Sequence, residues 1–173
     1  MTERRGDWIQ TFTGRQFWPL DPRADEVDLV DIAHALSYLC RFGGHTRVFY
    51  SVAEHCVRVS LACHPTDALA GLLHDAAEAY VVDVPRPIKR HLSGYRGIEE
   101  RVHCAICGHF GIPVAIPVAV HEADLRLLAT EARDLMSRPP NAWSAMPAPL
   151  PETIEPWSPL QAKLSFLGRF REL

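Results

Sequence analysis

From Asp28 to Leu39 the apolar residues Leu29, Ile32, Ala33, Leu36 and Leu39 recur at the three-to-four spacing of one helix face, with Gly43-Gly44 as terminator. A second stripe of Val52, Cys56, Val59 and Cys63 begins after Ser51, with Glu54 three residues on, the pattern of a capping box. The third stripe, Leu69, Leu72, Leu73, Ala76, Ala77 and Tyr80, opens at Thr66-Asp67 and predicts one helix running until Pro85 stops it. A fourth helix fits Ile98, Val102, Ala105, Ile106 and Phe110, closed by Gly111; a fifth starts near Pro117 and carries Val120, Ala123, Leu127, Leu128 and Leu135. Ser158-Pro159-Leu160-Gln161 is another capping box, opening a last helix through Leu164, Leu167 and Phe170. The expected fold is all-α: a single-domain bundle of about six helices, with a helical core over 28–137, a proline-rich loop over 138–157 and a C-terminal helix over 158–172. Residues 1–27 mix Trp8, Phe12, Phe17 and Trp18 with Gly14, Pro19 and Pro22, and suit a short extended segment laid over the bundle.

A chain of 173 residues, 47% hydrophobic and 23% charged, matches one globular domain and excludes disorder, a coiled-coil rod or a collagen-like repeat. Its net charge of −3 leaves no basic excess to pair with the phosphates of duplex nucleic acid. The longest apolar run, Ile112 to Val120, is broken by Pro113 and Pro117, so no membrane span is expected. Arg4-Arg5 is followed by no apolar stretch of a secretory signal, which makes the cytoplasm the expected compartment. Five cysteines, an odd number, are expected to be reduced, and Cys104-x-x-Cys107 lacks the second pair that a zinc knuckle needs.

The informative residues are the polar ones on inward stripes, because an unpartnered buried charge costs several kcal/mol. His55 projects from the inner side of the second helix, and His74-Asp75 interrupt the third in its middle. Asp124 sits between Val120 and Leu127, and Glu78 stands one turn beyond His74. A divalent cation satisfies such a set at once, since imidazole nitrogens and carboxylate oxygens from facing helices coordinate it. Taken singly, each residue is also explained by a satisfied core histidine or an ion pair between helices. Glu131, seven residues after Asp124 and on a similar face, is the substitute ligand, or else the ion-pair partner of an arginine.

These residues stand in Val52-Ala53-Glu54-His55, Leu72-Leu73-His74-Asp75-Ala76-Ala77-Glu78 and Glu122-Ala123-Asp124-Leu125, an ordered H…HD…D pattern. In this the chain resembles the HD-domain metal-dependent phosphohydrolases, and within them the small 5′-deoxynucleotidases, over about residues 28–137. Cys40-Arg41-Phe42-Gly43-Gly44-His45 is similar to the stretch that supplies their phosphate-binding arginine. The resemblance implies that His55, His74, Asp75 and Asp124 hold one metal ion, and that Glu78 and Asp83 orient the nucleophile or manage its proton. It implies that Arg41 clamps phosphate, that the substrate is a deoxynucleoside monophosphate, and that the protein is a homodimer. His45 and Lys89 are further candidates to reach phosphate or base. Two nitrogens and two carboxylates suit Mn, Fe, Co, Ni or Zn, and Mg less well. Two alternatives stay open. One is a triphosphohydrolase acting on a dNTP, with Arg86, Lys89 and Arg90 as a subsite for the outer phosphates. The other is a non-catalytic nucleotide-sensing or protein-binding module with a structural metal.

Overall fold

The computed structural model describes residues 4–141, 143 and 146–173. The molecule is mostly helical, and no helix among the described residues is long and apolar enough to cross a membrane. The N-terminal stretch forms a small antiparallel hairpin of β1 (Ile9–Gln10) and β2 (Gln16–Phe17). It is laid on the helices by Phe17, fully buried and stacked on Tyr80 at 3.7 Å, and by Asp31, whose carboxylate accepts from the Thr13 amide and hydroxyl. The aromatic Phe17 is therefore core.

Helix α1 (Leu29–Tyr38) starts where Asp28 accepts from the amides of Val30 and Asp31, a side-chain cap that replaces missing intrahelical bonds. It ends at Tyr38, well before Gly43; Arg41–Gly44 is instead a 3-10 turn. Helix α2 (Val52–Ala62) is capped by Ser51 as expected, but only half of the capping box forms. Glu54 turns inward, and its carboxylate accepts from Arg58 at 2.7 Å and from the Trp157 amide at 2.8 Å. At the start of the last helix, Ser158 caps through the Gln161 amide, with Pro159 in the first turn.

The third predicted helix is the main correction. It breaks into α3 (Ala68–Leu73) and α4 (Glu78–Val81), joined by turns at His74 to Ala77. Asp67 precedes α3 without a side-chain cap. The chain then passes Val82, a β-branched residue at φ 63°, and forms a short α5 (Arg86–Lys89) that the periodicity did not indicate. Helix α6 (Tyr95–Phe110) begins three residues earlier than Ile98, after Gly94 at φ 82°. Next come α7 (Val118–Leu135) and α8 (Pro159–Glu172). Described residues of the proline-rich stretch hold no helix or strand.

Helix α2 is the hub, packing on α1, α3, α7 and α8. Its Val52, Ala53, Cys56 and Val57 join Ile32, Leu36, Leu72, Leu73, Ile106 and Phe166 in one buried cluster. Val59 joins a second with Tyr50, Val120, Leu127 and Leu135. Burying a Leu or Ile in such clusters contributes roughly 1.5–3 kcal/mol each. The α2–α3 crossing is close because Gly71 offers no side chain: a Cβ there would lie 3.0 Å from Cys63 Sγ and 3.2 Å from Ser60 Cα. That approach brings α3, which ends just before His74, against α2, which carries His55. All five cysteines are free; Cys107 is buried, as packing implies, whereas Cys104 is exposed.

Candidate metal centre

Three segments meet at one point: α2 with His55, the turn after α3 with His74 and Asp75, and α7 with Asp124. His74 (φ −60°, ψ −36°) and Ala77 (φ −61°, ψ −29°) keep right-handed helical backbone angles, so the turn continues the direction of α3. Bonds from the Ala76 amide to Leu73 O (3.0 Å) and from Glu78 to Asp75 O (3.0 Å) tighten the turn. His74 Nε2 and Asp75 Oδ2 lie 3.2 Å apart. His55 Nε2 lies 3.3 Å from His74 Nε2, 3.6 Å from Asp75 Oδ2 and 3.2 Å from Asp124 Oδ1.

The far side of each imidazole fixes which nitrogen faces the centre. His74 Nδ1 donates to Gly71 O at 2.8 Å, and His55 Nδ1 lies 2.7 Å from Glu131 Oε1, so both rings turn Nε2 inward. Two ring nitrogens 3.3 Å apart share either a proton, in a hydrogen bond, or a metal ion between their lone pairs. Metal–ligand bonds of about 2.1 Å give ligand–ligand edges of roughly 3.0–3.4 Å in octahedral or tetrahedral geometry, close to the spacings observed. His55, His74 and Asp75 can therefore hold a metal ion. Asp124 approaches the set through His55.

Electrostatics follow from the crowding. Burial opposes ionisation of Asp75, but the His74, His55 and Arg41 charges outweigh it and hold the carboxyl well below its ordinary range. Asp124 is held down to about 2, again against burial, by its hydrogen bond to His55 and the surrounding positive charges. His55 is pulled down by burial and by Arg41 and up by Glu131 and Asp124; the acids win, and its pKa rises to about 9. Glu131 is fully buried yet held below the carboxylate range by Arg41 and His55.

Arg41 reaches this centre because its amide donates to Tyr50 O (3.0 Å) and Cys40 bridges Ser51, pinning the 3-10 turn to the start of α2. Past it, Phe42 and Gly43 take φ of 57° and 59°, the turn that brings the chain back. The guanidinium spans three carboxylates, with Nε 3.1 Å from Glu131, Nη1 3.5 Å from Asp75 and Nη2 3.4 Å from Asp124.

A cleft of about 240 Å³ opens on one side, lined by His74, Asp75, Glu78, Lys89, Glu99 and His103 among others. Glu78 is nearly fully buried and its Oε2 has no hydrogen-bond partner among the described residues. Burial, then Asp75 and Asp83, push its pKa up to about 10. Asp83 is also raised, chiefly by burial; the Val82 kink before it is braced by Tyr95, whose hydroxyl donates to Val82 O at 2.7 Å. Lys89 lines the cleft but is bound to Glu99 at 2.5 Å, a partner with no signal in the sequence pattern. His45 is not brought to the centre. It is exposed and lines a separate apolar cavity of about 650 Å³ with Met136, Pro140 and Trp143. Arg86 and Arg90 are exposed and line no part of the cleft. Glu131 is the ion-pair partner of an arginine, as expected for one of its two roles, and its contact with His55 was not foreseen.

No family model matches the chain. It is 38% identical over 169 residues to the uncharacterized protein YfdR of Escherichia coli K12, a match covering 96% of this chain and 95% of that protein. It is 32% identical over 126 residues to an uncharacterized protein of Rhodobacter capsulatus, covering 67% of this chain and 64% of the relative.

Proposed function

The chain belongs to the family of YfdR, a membership that carries no activity, and from the centre itself we propose a metal-dependent phosphohydrolase acting on nucleoside 5′-monophosphates, deoxy forms foremost. The observation that carries this reading is the convergence on His55 Nε2 of His74, Asp75 and Asp124 within 3.2–3.6 Å, beside an arginine and a buried carboxyl whose Oε2 has no partner among the described residues. His55, His74, Asp75 and Asp124 are the ligands, and two imidazoles favour Mn, Fe, Co, Ni or Zn over Mg. A divalent ion, when bound there, acidifies water and offsets negative charge on a phosphoryl group.

The protein's own groups do the rest. Arg41 presents Nη1 and Nη2 on the metal side, where a planar fork suits two phosphoryl oxygens. Glu78, raised in the metal-free protein by burial and then by Asp75 and Asp83, and Asp83 handle the proton of the attacking water and of the departing 5′-oxygen. Lys89, tied to Glu99, adds little free positive charge. Arg86 and Arg90 are exposed and Lys89 is paired, which leaves no free basic cluster beside His74 and Asp75, among the described residues, for the outer phosphates of a dNTP.

The test is a panel of NMPs, dNMPs and dNTPs with Mn, Co, Zn and Mg, run on the wild type and on Asp75→Ala. Expected is inorganic phosphate from monophosphates, lost in the variant. Triphosphate release from dNTPs would replace the reading with triphosphohydrolysis. No turnover with any metal, or turnover surviving Asp75→Ala, would remove it.

A further inference from the structure

Like Asp75 and Asp124, Glu131 touches both a histidine of the centre and Arg41, but of these three carboxylates it alone has no access to solvent. Its Oε1 takes the Nδ1 proton of His55 at 2.7 Å, and its Oε2 takes the Nε proton of Arg41 at 3.1 Å. One bond aims His55 Nε2 at His74, Asp75 and Asp124. The other grips the guanidinium by its inner edge, so that Nη1 and Nη2 face the same three-sided point. A carboxylate placed behind a ligating histidine fixes its tautomer and ring orientation and raises its basicity as a donor.

We propose that Glu131 is the positioning residue of this centre, a single carboxylate that orients a metal-ligating imidazole and a phosphate-facing guanidinium together. It touches neither the metal point nor the substrate cleft, whose lining does not include it. Its side chain comes from α7, one heptad beyond Asp124, so the helix that supplies a ligand also supplies the residue that aims another ligand. Metal and phosphate binding are thereby coupled through one side chain. The proposal rests on the metal-centre reading but not on the identity of the substrate.

The test compares the wild type with Glu131→Gln and Glu131→Asp, after circular dichroism of each. Calorimetric titration with Mn²⁺ alone is expected to give roughly 10–100-fold weaker binding in Glu131→Gln. At saturating Mn²⁺, inorganic phosphate is expected to bind on the order of tenfold more weakly, because Arg41 has lost a charge-assisted hydrogen bond. Glu131→Asp keeps the charge with a shorter reach and is expected to restore part of the metal affinity. A second measurement needs no variant: ring ¹⁵N–¹H correlation of the Zn²⁺-loaded wild type is expected to show an exchange-protected proton on Nδ1 of His55. Wild-type Mn²⁺ affinity in Glu131→Gln, or a ring with Nδ1 unprotonated, would overturn the proposal and leave the hydrolase reading standing. Intact metal binding in a wild type that cleaves no phosphate ester would do the reverse. A wild type that takes up no metal would sink both.

Discussion

Glu78→Gln is expected to make the metal-free protein more stable while abolishing most of its turnover. Glu78 is 6% exposed, its Oε2 is orphaned, and burial followed by the Asp75 and Asp83 charges raises its pKa to about 10. In the unfolded chain the group titrates near ~4.3. The folded state therefore binds the extra proton between these limits, and stability must fall as pH rises through that window, by about 1.4 kcal/mol per unit. At pH 7 the cost is about 4 kcal/mol, and at pH 5 it is about 1 kcal/mol. Gln keeps the shape without the ionisation, so the variant's advantage should be about 1 kcal/mol at pH 5 and approach about 4 kcal/mol at pH 7. Urea denaturation with a chelator present, at pH 5, 6, 7 and 8, measures the difference. His55 also disfavours the folded state as pH rises through about 9, its folded pKa being above the ordinary value, but that contribution is common to both proteins and cancels. With metal restored, loss of proton handling should lower turnover roughly 10²–10⁴-fold. A stability difference that does not grow with pH, or a variant less stable than the wild type at pH 8, would refute the argument that Glu78 is held as a neutral acid.

Because His55 of the metal-free protein titrates at about 9, an incoming divalent ion must displace its proton at neutral pH. Apparent Mn²⁺ affinity should rise about tenfold per pH unit from 7 toward 9 and then level off, with one proton released per ion at pH 7; a flat profile in calorimetry would contradict the assigned ligand. Tyr50→Phe addresses the packing behind the site: the hydroxyl is fully buried with no partner among the described residues. Its removal should be neutral or stabilising by about 1 kcal/mol, and a loss larger than that in thermal melts would reveal a bridging water.

Much of the architecture was legible because it rests on local periodicity. Ile32, Leu36, Val52, Cys56, Leu72 and Ile106 were assigned inward by spacing alone and are all buried. The break between Leu73 and Glu78 was not legible, for a physical reason: Ala76 and Ala77 continue the apolar stripe and are buried as a helix would bury them. The tighter turn shows only in the bonds from the Ala76 amide to Leu73 O and from Glu78 to Asp75 O, which leave no mark on the apolar spacing. The candidate ligands showed themselves as polar intrusions on apolar faces, a signal that needs no knowledge of partners. Residues whose role depends on a partner's position were harder to place. Nothing in the order of residues links Lys89 to Glu99, or sends His45 away from a loop whose Arg41 lies at the centre. Glu54 and Glu131 make the same point from inside the core. Both are acids on inward faces, and both are fully buried, yet one closes on Arg58 and the Trp157 amide to lock the C-terminal segment while the other stands behind His55. Periodicity identifies an inward carboxylate as a site of stored electrostatic cost; only the neighbour that meets that cost decides whether it holds the fold together or aims a ligand.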